Sequence, residues 1–128
     1  MIESTMSEPL FRTRKIISYP DLNAAGKLFG GTALAWIDEE SAIFASCVLG
    51  NSHLVTVHMS EINFKSPGEL GEIVEIGTKL VKVGKTSITV SCQIRHKATK
   101  QDIITVDKVV FVSIDDKGNP LEHGYQGE

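Results

Sequence analysis

The sequence predicts an α+β domain in which a curved antiparallel sheet of about five strands wraps around one long central helix. One segment, residues 32–50, is free of proline and has an apolar or small residue at nearly every position, which is typical of a buried helix. The strand-like segments that follow it alternate apolar and polar residues, so the sheet is expected to have one dry face. Because short turns join these segments, neighbouring strands are expected to be antiparallel. Only one helix is available to cover the dry face.

The N-terminal part of the predicted domain consists of one strand and the helix. Residues 11–19 have strand character, and Pro20 ends this strand because proline cannot continue a hydrogen-bonded ladder. The helix predicted over residues 32–50 ends at Gly50, since glycine is a common stop signal at a helix C-terminus.

The C-terminal part of the chain contains four predicted strands, over residues 54–64, 73–83, 87–96 and 103–114. The first of these alternates up to Met59 and then shifts parity to Ile62, which predicts a β-bulge. A sheet of this kind around a single buried helix is the arrangement called the hotdog fold. Such a sheet leaves a long strand edge open, and open edges are usually paired or covered.

Length and composition indicate one domain and exclude several classes of protein. A chain of 128 residues is long enough for one core and too short for two. The domain is therefore expected to span residues 1–128, with loose tails at 1–9 and 119–128. A net charge of -3 gives no basic face for binding nucleic acid. No segment approaches the ~18 consecutive apolar residues of a membrane span, so no membrane partner is expected.

The N-terminal segment and the cysteines predict a cytoplasmic location. The segment lacks the basic start and apolar run of a signal peptide. Cys47 and Cys92 lie within apolar segments, which predicts buried free thiols in a reducing compartment.

Sequence motifs for phosphate, dinucleotide and metal binding are incomplete. The segment "GKTS", residues 84–87, resembles the end of a P-loop, but Lys79 occupies the position of the required upstream glycine. The glycines of "DLNAAGKLFGG", residues 21–31, have the wrong spacing for a dinucleotide fingerprint. The four histidines and two cysteines have no metal-ligand spacing. Neither a metal nor another cofactor is therefore expected.

Two features remain as candidates for a functional site. They are the glycine-rich segment 21–31 and the consecutive acids Asp38, Glu39 and Glu40. Successive helical residues are about 100° apart, so these carboxylates spread over more than half of the helix circumference. At least one is expected among apolar neighbours or in a cleft. Two interpretations are open: the acids face a neighbouring subunit, or one of them works with the free N–H groups at the helix N-terminus. The second arrangement would suit acyl transfer or hydrolysis.

The segment "PDLNAAGKLFGGTALAWIDEESAI" resembles the acyl-CoA thioesterases of the hotdog fold. It is most similar to the group with D-x-N-x-x-G-x-x-F-G-G before the helix, which includes bacterial short- and medium-chain acyl-CoA hydrolases and the cytosolic brain-type enzyme. The likeness continues through "VTVHMSEINFKSPGELGEIVEI" and "VKVGKTSITVSCQI" and covers residues 12–120. It implies hydrolysis of a CoA thioester to the free acid and CoA. The alternative is a non-catalytic acyl-CoA-binding or regulatory domain, against which the presence of Asp38 and Asn23 argues.

The resemblance also implies which residues form the site. Asp38 is expected to be the catalytic carboxylate, as general base or nucleophile, and Asn23 to orient the substrate or the attacking water. The backbone of Gly30 and Gly31 would polarise the thioester carbonyl. Coenzyme A, which belongs to the substrate, is expected to contact Val57, Ser60, Gly84, Lys85, Thr86 and Ser87.

The resemblance also implies an oligomeric state. In such families the Asn and Asp of one site come from different subunits, so a homodimer is expected, possibly as a trimer of dimers. Glu40 occupies a position where close relatives often have a small residue. Whether Glu39 or Glu40 also takes part in catalysis therefore stays open.

Overall fold

The computed structural model describes residues 2–3 and 8–127 and contains one antiparallel sheet and one long helix within them. The elements in chain order are β1 (Ile2–Glu3), β2 (Leu10–Ile16), α1 (Gly30–Leu49), β3 (Leu54–Phe64), β4 (Ile73–Val83), β5 (Ser87–His96) and β6 (Asp102–Ser113). A short 3₁₀ helix, Tyr19–Asp21, follows β2. The predicted fold, a curved antiparallel sheet packed on one long helix, is confirmed.

The order of the strands decides which strands lie at the two edges of the sheet. β4, β5, β6 and β3 are consecutive neighbours, and every pair is antiparallel. β1 and β2 both pair with β4 on the edge that β5 does not use. β3 is therefore the edge strand on one side of the sheet, and β1 and β2 form the edge on the other side.

The helix starts and ends where glycines allow it. Its N-cap residue, Phe29, makes no side-chain capping bond, and two glycines occupy the first turn. At the C-terminus Gly50 has a left-handed backbone with φ of 66°, and its N–H donates to the carbonyl of Ser46. This is the stop that the sequence predicts at Gly50.

The helix is buried on one face only, so the expectation of a helix buried on all sides is wrong for the single chain. The residues packed on the sheet are Ala33, Ile37, Ser41 and Ala45. The residues exposed on the opposite face are Gly31, Ala35, Glu39, Ile43 and Cys47. A single sheet covers only one side of a helix, and the outer face stays apolar and open.

The two cysteines therefore differ in environment. Cys92 faces the core, and burial raises the pKa of its thiol to about 12. Cys47 is exposed on the outer face of α1, so the prediction that both thiols are buried is wrong for Cys47.

The predicted β-bulge in β3 is present, at a different position. The register of β3 against β6 shifts by one residue between Thr56 and His58. The parity slip in the sequence lies further along, where Glu61 has a left-handed backbone with φ of 54°. The extra residue, Val57, therefore lies at an irregular point of an edge strand.

Both terminal segments make contacts, which corrects the expectation of loose tails. At the N-terminus Ile2 and Glu3 pair with Val83 and Lys82 of β4, while residues 1, 4–7 and 128 lie outside the described residues. Near the C-terminus Tyr125 packs against the core.

A buried carboxylate is held on β4 by two cations. Glu75 is only 4% exposed, and it accepts hydrogen bonds from Lys100 Nζ at 2.9 Å and Arg95 Nε at 2.7 Å. The Lys100 bond, followed by the Arg95 bond and both positive charges, holds the pKa of Glu75 below its usual range despite its burial. The charged form is therefore favoured in the folded state.

Replacing this carboxylate is expected to reduce stability at neutral pH. Because the pKa of Glu75 is lower in the folded state, its contribution is present above the unfolded value of 4.5 and is lost as pH falls through the folded value. Glu75→Gln should lower the free energy of unfolding by about 1.5–3 kcal/mol at pH 7. Urea unfolding at pH 7 and pH 3 measures this, with the exposed Glu8→Gln as control. An equal loss at both pH values would contradict the ionic role.

Candidate active site

The loop before the helix, residues 21–29, is organised by one asparagine. The main-chain N–H of Asn23 donates to the carbonyl of Lys27 at 2.7 Å. Its side-chain Oδ1 accepts the N–H groups of Ala25 and Lys27, each at 3.0 Å. Gly26, with φ of 78°, forms the tight turn between them. Among the described residues no acceptor is bound to the Asn23 side-chain amide nitrogen, so its two N–H bonds are available to a ligand.

This loop is fixed against its surroundings by backbone bonds. Leu28 donates to the carbonyl of Gly68 at 2.7 Å, and Phe29 donates to Asp21 at 2.8 Å. The side chains of Lys27 and Glu69 form an ion pair, whose hydrogen bond lowers the pKa of Glu69. Asn23 and the helix N-terminus are therefore held in one rigid unit.

The first turn of α1 presents free N–H groups beside two aromatic rings. The first hydrogen bond of the helix runs from Ala33 to Phe29, so the N–H groups of Gly30 and Gly31 precede it. A Cβ atom at Gly30 would lie 3.2 Å from the Phe64 ring, and one at Gly31 would lie 2.7 Å from the Phe29 ring. A side chain at either position would displace one of these rings, both of which are exposed. The N–H groups and the helix dipole favour negative charge at this point.

Asp38 lies on the side of the helix that faces the edge strand β3. Thr56 Oγ1 donates to Asp38 Oδ1 at 2.7 Å, and the carboxylate is half-buried. The next residue of β3, the bulged Val57, is 54% exposed. The carboxylate is thus oriented by one hydrogen bond and lies next to the open edge of the sheet.

Thr56, which binds the Asp38 carboxylate, is a candidate site residue that the sequence interpretation missed. Its hydroxyl orients Asp38, yet the predictions for this strand named Val57 and Ser60. A polar residue between two valines was visible in "LVTV". Only the packing of β3 against α1 identifies Asp38 as its partner.

The three acids point in different directions, as the helical spacing predicts. Glu40 accepts from Thr13 Oγ1 of β2, at 2.8 Å to Oε1 and 2.9 Å to Oε2. Glu39 is exposed on the outer face. Because β2 and β3 lie toward opposite edges of the sheet, Glu40 does not share the surroundings of Asp38.

Asp38 and the helix N-terminus are far apart within one chain. Gly30 precedes Asp38 by eight residues on α1, and a rise of 1.5 Å per residue separates them by about 12 Å. Donors that stabilise an oxyanion lie about 3 Å from it, and a catalytic carboxylate lies equally close to the reacting atoms. A single chain therefore does not bring Asp38 together with the N–H groups of Gly30 and Gly31 around one carbonyl group.

The hairpin at residues 84–87 lies near the opposite end of the helix. Asn51, just after α1, donates from Nδ2 to Ser113 Oγ at 2.9 Å, and the Ser113 N–H donates to the carbonyl of Thr86 at 2.7 Å. Asp38 precedes the last helical residue, Leu49, by eleven residues, about 16 Å along the axis. The predicted coenzyme A residues Gly84, Lys85, Thr86 and Ser87 are thus together, but they do not touch Asp38.

The strand residues predicted to contact coenzyme A lie on β3. Val57 is beside Thr56 at the open edge, and Ser60 is half-buried and pairs with Lys108 of β6. Over residues 2–3 and 8–127, no helix is long and apolar enough to cross a membrane. The described side chains include no group of three His, Cys, Asp or Glu that could hold a metal ion.

The chain matches one protein-family model, and it is similar in sequence and structure to known proteins. The model described as thioesterase superfamily matches residues 25–103. The chain is 32% identical over 108 residues to an uncharacterized acyl-CoA thioester hydrolase of Buchnera aphidicola, covering 80% of this chain and 79% of that protein. It is 29% identical over 113 residues to the acyl-CoA thioester hydrolase YciA of Salmonella typhimurium, covering 84% of each.

Two solved structures are similar over most of the chain. The hexameric thioesterase y2039 from Yersinia pestis has a TM-score of 0.85 and 25% identity, with 94% of this chain and 100% of that chain covered. The acyl-CoA hydrolase from Staphylococcus aureus, solved in complex with butyryl coenzyme A, coenzyme A and coenzyme A disulfide, has a TM-score of 0.75 and 29% identity. In that case 86% of this chain and 66% of that chain are covered.

Proposed function

This chain belongs to the thioesterase superfamily, and from that premise we propose that it hydrolyses an acyl-CoA thioester to the free carboxylic acid and coenzyme A. The observation that supports this most strongly is the half-buried Asp38 carboxylate, oriented by Thr56 at the open edge of the sheet. Relatives named acyl-CoA thioester hydrolases support the same reaction. Coenzyme A enters as part of the substrate, and the proposed reaction requires no other cofactor.

Variants of the Staphylococcus aureus acyl-CoA hydrolase support the choice of Asn23 and Asp38. Structures of that protein include an Asp-to-Ala, an Asn-to-Ala and a Thr-to-Ala variant. The Asn and the Asp replaced there are separated by as many residues as Asn23 and Asp38 are here. We assign Asp38 as the catalytic carboxylate, Asn23 as the residue that orients substrate or water, and Thr56 as the residue that orients Asp38.

We further propose that each site is built from two copies of the chain. The separation of about 12 Å along the helix between Asp38 and Gly30 is too long for both to act on one carbonyl within a chain. Asp38 faces an open strand edge beside an exposed apolar helix face, where a second copy would bring its own helix N-terminus. The relatives of known structure are described as hexameric, which is compatible with a homodimer repeated as a trimer of dimers.

In this arrangement each group has one chemical task. The Asp38 carboxylate either removes a proton from the attacking water or attacks the thioester carbonyl carbon itself. The N–H groups of Gly30 and Gly31 in the second copy stabilise the negative charge that develops on the carbonyl oxygen. The C–S bond then breaks, and coenzyme A leaves as its thiolate and takes up a proton. If Asp38 attacks directly, water subsequently hydrolyses the acyl-enzyme anhydride.

The distance to the hairpin suits a substrate with a long arm. The hairpin lies about 16 Å from Asp38 along the helix, so a thioester at Asp38 requires an extended linker to place a nucleotide there. We propose that Lys85 and its neighbours bind the phosphates of coenzyme A. Lys85 is exposed, and no carboxylate of the described residues lies within ion-pairing distance of it.

Reversing the charge of Lys85 is expected to weaken substrate binding more than the chemical step. A contact remote from the reacting bond contributes similarly to ground-state and transition-state binding, so its loss raises KM. Lys85→Glu should therefore raise KM for acyl-CoA severalfold, with a smaller change in kcat. KM for acyl-pantetheine, which lacks the nucleotide, should not change. Lys117→Glu, an exposed reversal elsewhere, is the matched control. An unchanged KM for acyl-CoA would remove the hairpin from the site.

The proposed reaction is tested by thiol release from a panel of acyl-CoA substrates, followed with a colour reagent. A hydrolase releases free coenzyme A from at least one chain length at a rate well above the uncatalysed reaction. Tight binding of acyl-CoA without thiol release across the panel would contradict the hydrolase and favour a non-catalytic acyl-CoA-binding domain.

Since both cysteines are free thiols, we also propose a cytoplasmic location.

A further inference from the structure

The segment after β6, residues 121–126, lies across the hairpin at residues 84–87. The N–H of His123 donates to the carbonyl of Lys85 at 3.2 Å. The ring Nε2 of His123 lies 3.2 Å from the carbonyl oxygen of Ser87. One histidine thus contacts two of the four residues of the hairpin.

These bonds complete the fixing of the hairpin backbone. The carbonyl of Ser87 also accepts the N–H of Gly84 at 2.9 Å, and the carbonyl of Thr86 accepts the N–H of Ser113 at 2.7 Å. Consecutive carbonyls, of Lys85, Thr86 and Ser87, are therefore each hydrogen-bonded. Among the described residues, the main-chain N–H of His123 makes the bond to the first of these carbonyls, and the His123 ring makes one of the two bonds to the third.

The His123 ring is itself held in one tautomer. Its Nδ1 accepts the N–H of Tyr125 at 3.1 Å, so Nδ1 carries no proton. In the neutral ring Nε2 then carries the hydrogen and donates it to Ser87. The ring connects the hairpin to a segment whose next aromatic residue, Tyr125, packs against the core.

The segment is anchored at both of its ends. The N–H of Leu121 donates to the carbonyl of Ser113 at 2.8 Å, and Tyr125 contacts the core at the other end. A surface cleft lies between the segment and the hairpin, and the side chains that line it include Lys85, Glu122, His123 and Gln126. Lys85 is therefore on a fixed backbone beside open space.

From these contacts we infer that His123 is a positioning residue for the nucleotide end of coenzyme A, acting through the backbone of the hairpin that carries Lys85. This inference rests on the proposed function. A fixed hairpin holds the Lys85 ammonium group where the phosphates bind, and the substrate then does not have to order the loop on binding. His123 itself need not touch the substrate.

The test compares His123→Ala, His123→Asn and His123→Gln with the wild-type protein on acyl-CoA and on acyl-pantetheine. His123→Ala keeps the main-chain bond to Lys85 and loses the two ring bonds, to Ser87 and from Tyr125, which should raise KM for acyl-CoA about fivefold to tenfold. KM for acyl-pantetheine and kcat for both substrates should change little. Gln can place its amide N–H near the position of Nε2, and Asn can place its oxygen near that of Nδ1. The expected order of KM is therefore Ala above Asn above Gln, with Lys117→Ala unchanged.

The possible results separate this inference from the function on which it rests. A raised KM confined to acyl-CoA, with partial rescue by Gln, supports the positioning role. An equal loss on both substrates, or an unchanged KM where Lys85→Glu does raise it, overturns the inference and leaves the hydrolase intact. If neither Lys85→Glu nor any His123 variant changes KM, both assignments to the hairpin are wrong, and thiol release by the wild-type protein still decides the reaction. If His123→Ala does not fold, the Gln and Asn variants decide by the same criteria.

Discussion

Replacing Asp38 by Asn is expected to lower kcat for acyl-CoA hydrolysis by about 10²–10⁴-fold, the usual effect of losing a positioned general base. The amide cannot remove a proton from water or attack a carbonyl group. Its oxygen can still accept the hydrogen bond from Thr56 that Asp38 Oδ1 accepts at 2.7 Å. The fold and the oligomeric state should therefore be retained. Rates of thiol release at saturating substrate measure the effect, and circular dichroism verifies the fold.

The neighbouring acids provide the controls for this assignment. Glu40→Gln should keep most of the activity, because the Glu40 carboxylate is bound by Thr13 on the other side of the helix. Glu39→Gln should behave in the same way, since Glu39 is exposed on the outer face. Wild-type activity in Asp38→Asn together with a large loss in Glu40→Gln would move the catalytic role to Glu40.

Much of the fold follows from local patterns in the sequence. Gly50 ends the helix because a left-handed residue is needed there, and the strands follow the alternation of apolar residues. An open strand edge follows from the number of strands and the presence of one helix, whereas its position at β3 does not. Local rules are sufficient in these cases because backbone conformation and burial decide them.

Features that depend on long-range contacts could not be predicted in this way. The partner of Asp38, Thr56, is eighteen residues away, and nothing in the spacing identifies it. The C-terminal segment has no periodicity, so the contacts of His123 with the hairpin have no counterpart in the pattern. The burial predicted for Cys47 failed because an apolar helix face can be covered by a second chain instead of by its own sheet.

That uncovered face leads to the second large effect, the dependence of each site on two chains. Ile43 on the outer face of α1 is 54% exposed, and on β3 Val57 and Phe64 are 54% and 61% exposed. Apolar surface of this extent on an edge strand and the adjacent helix is usually covered by a partner. Asp38 lies between these surfaces, and Gly30 is about 12 Å away on its own chain. We therefore expect the separated chain to be inactive and the site to form only on association.

The most direct test is complementation between two inactive variants, Asn23→Ala and Asp38→Asn. If Asn23 and Asp38 of one site come from different chains, a hybrid dimer has one site with both substitutions and one site with neither. Random exchange of an equal mixture should then restore about a quarter of the wild-type sites, a fraction that follows from two-fold symmetry. Subunit exchange is verified independently with distinguishable tags, and each variant alone is the control. Recovery of about a quarter of wild-type activity is the predicted result, and no recovery despite proven exchange would mean that each site is built within a single chain.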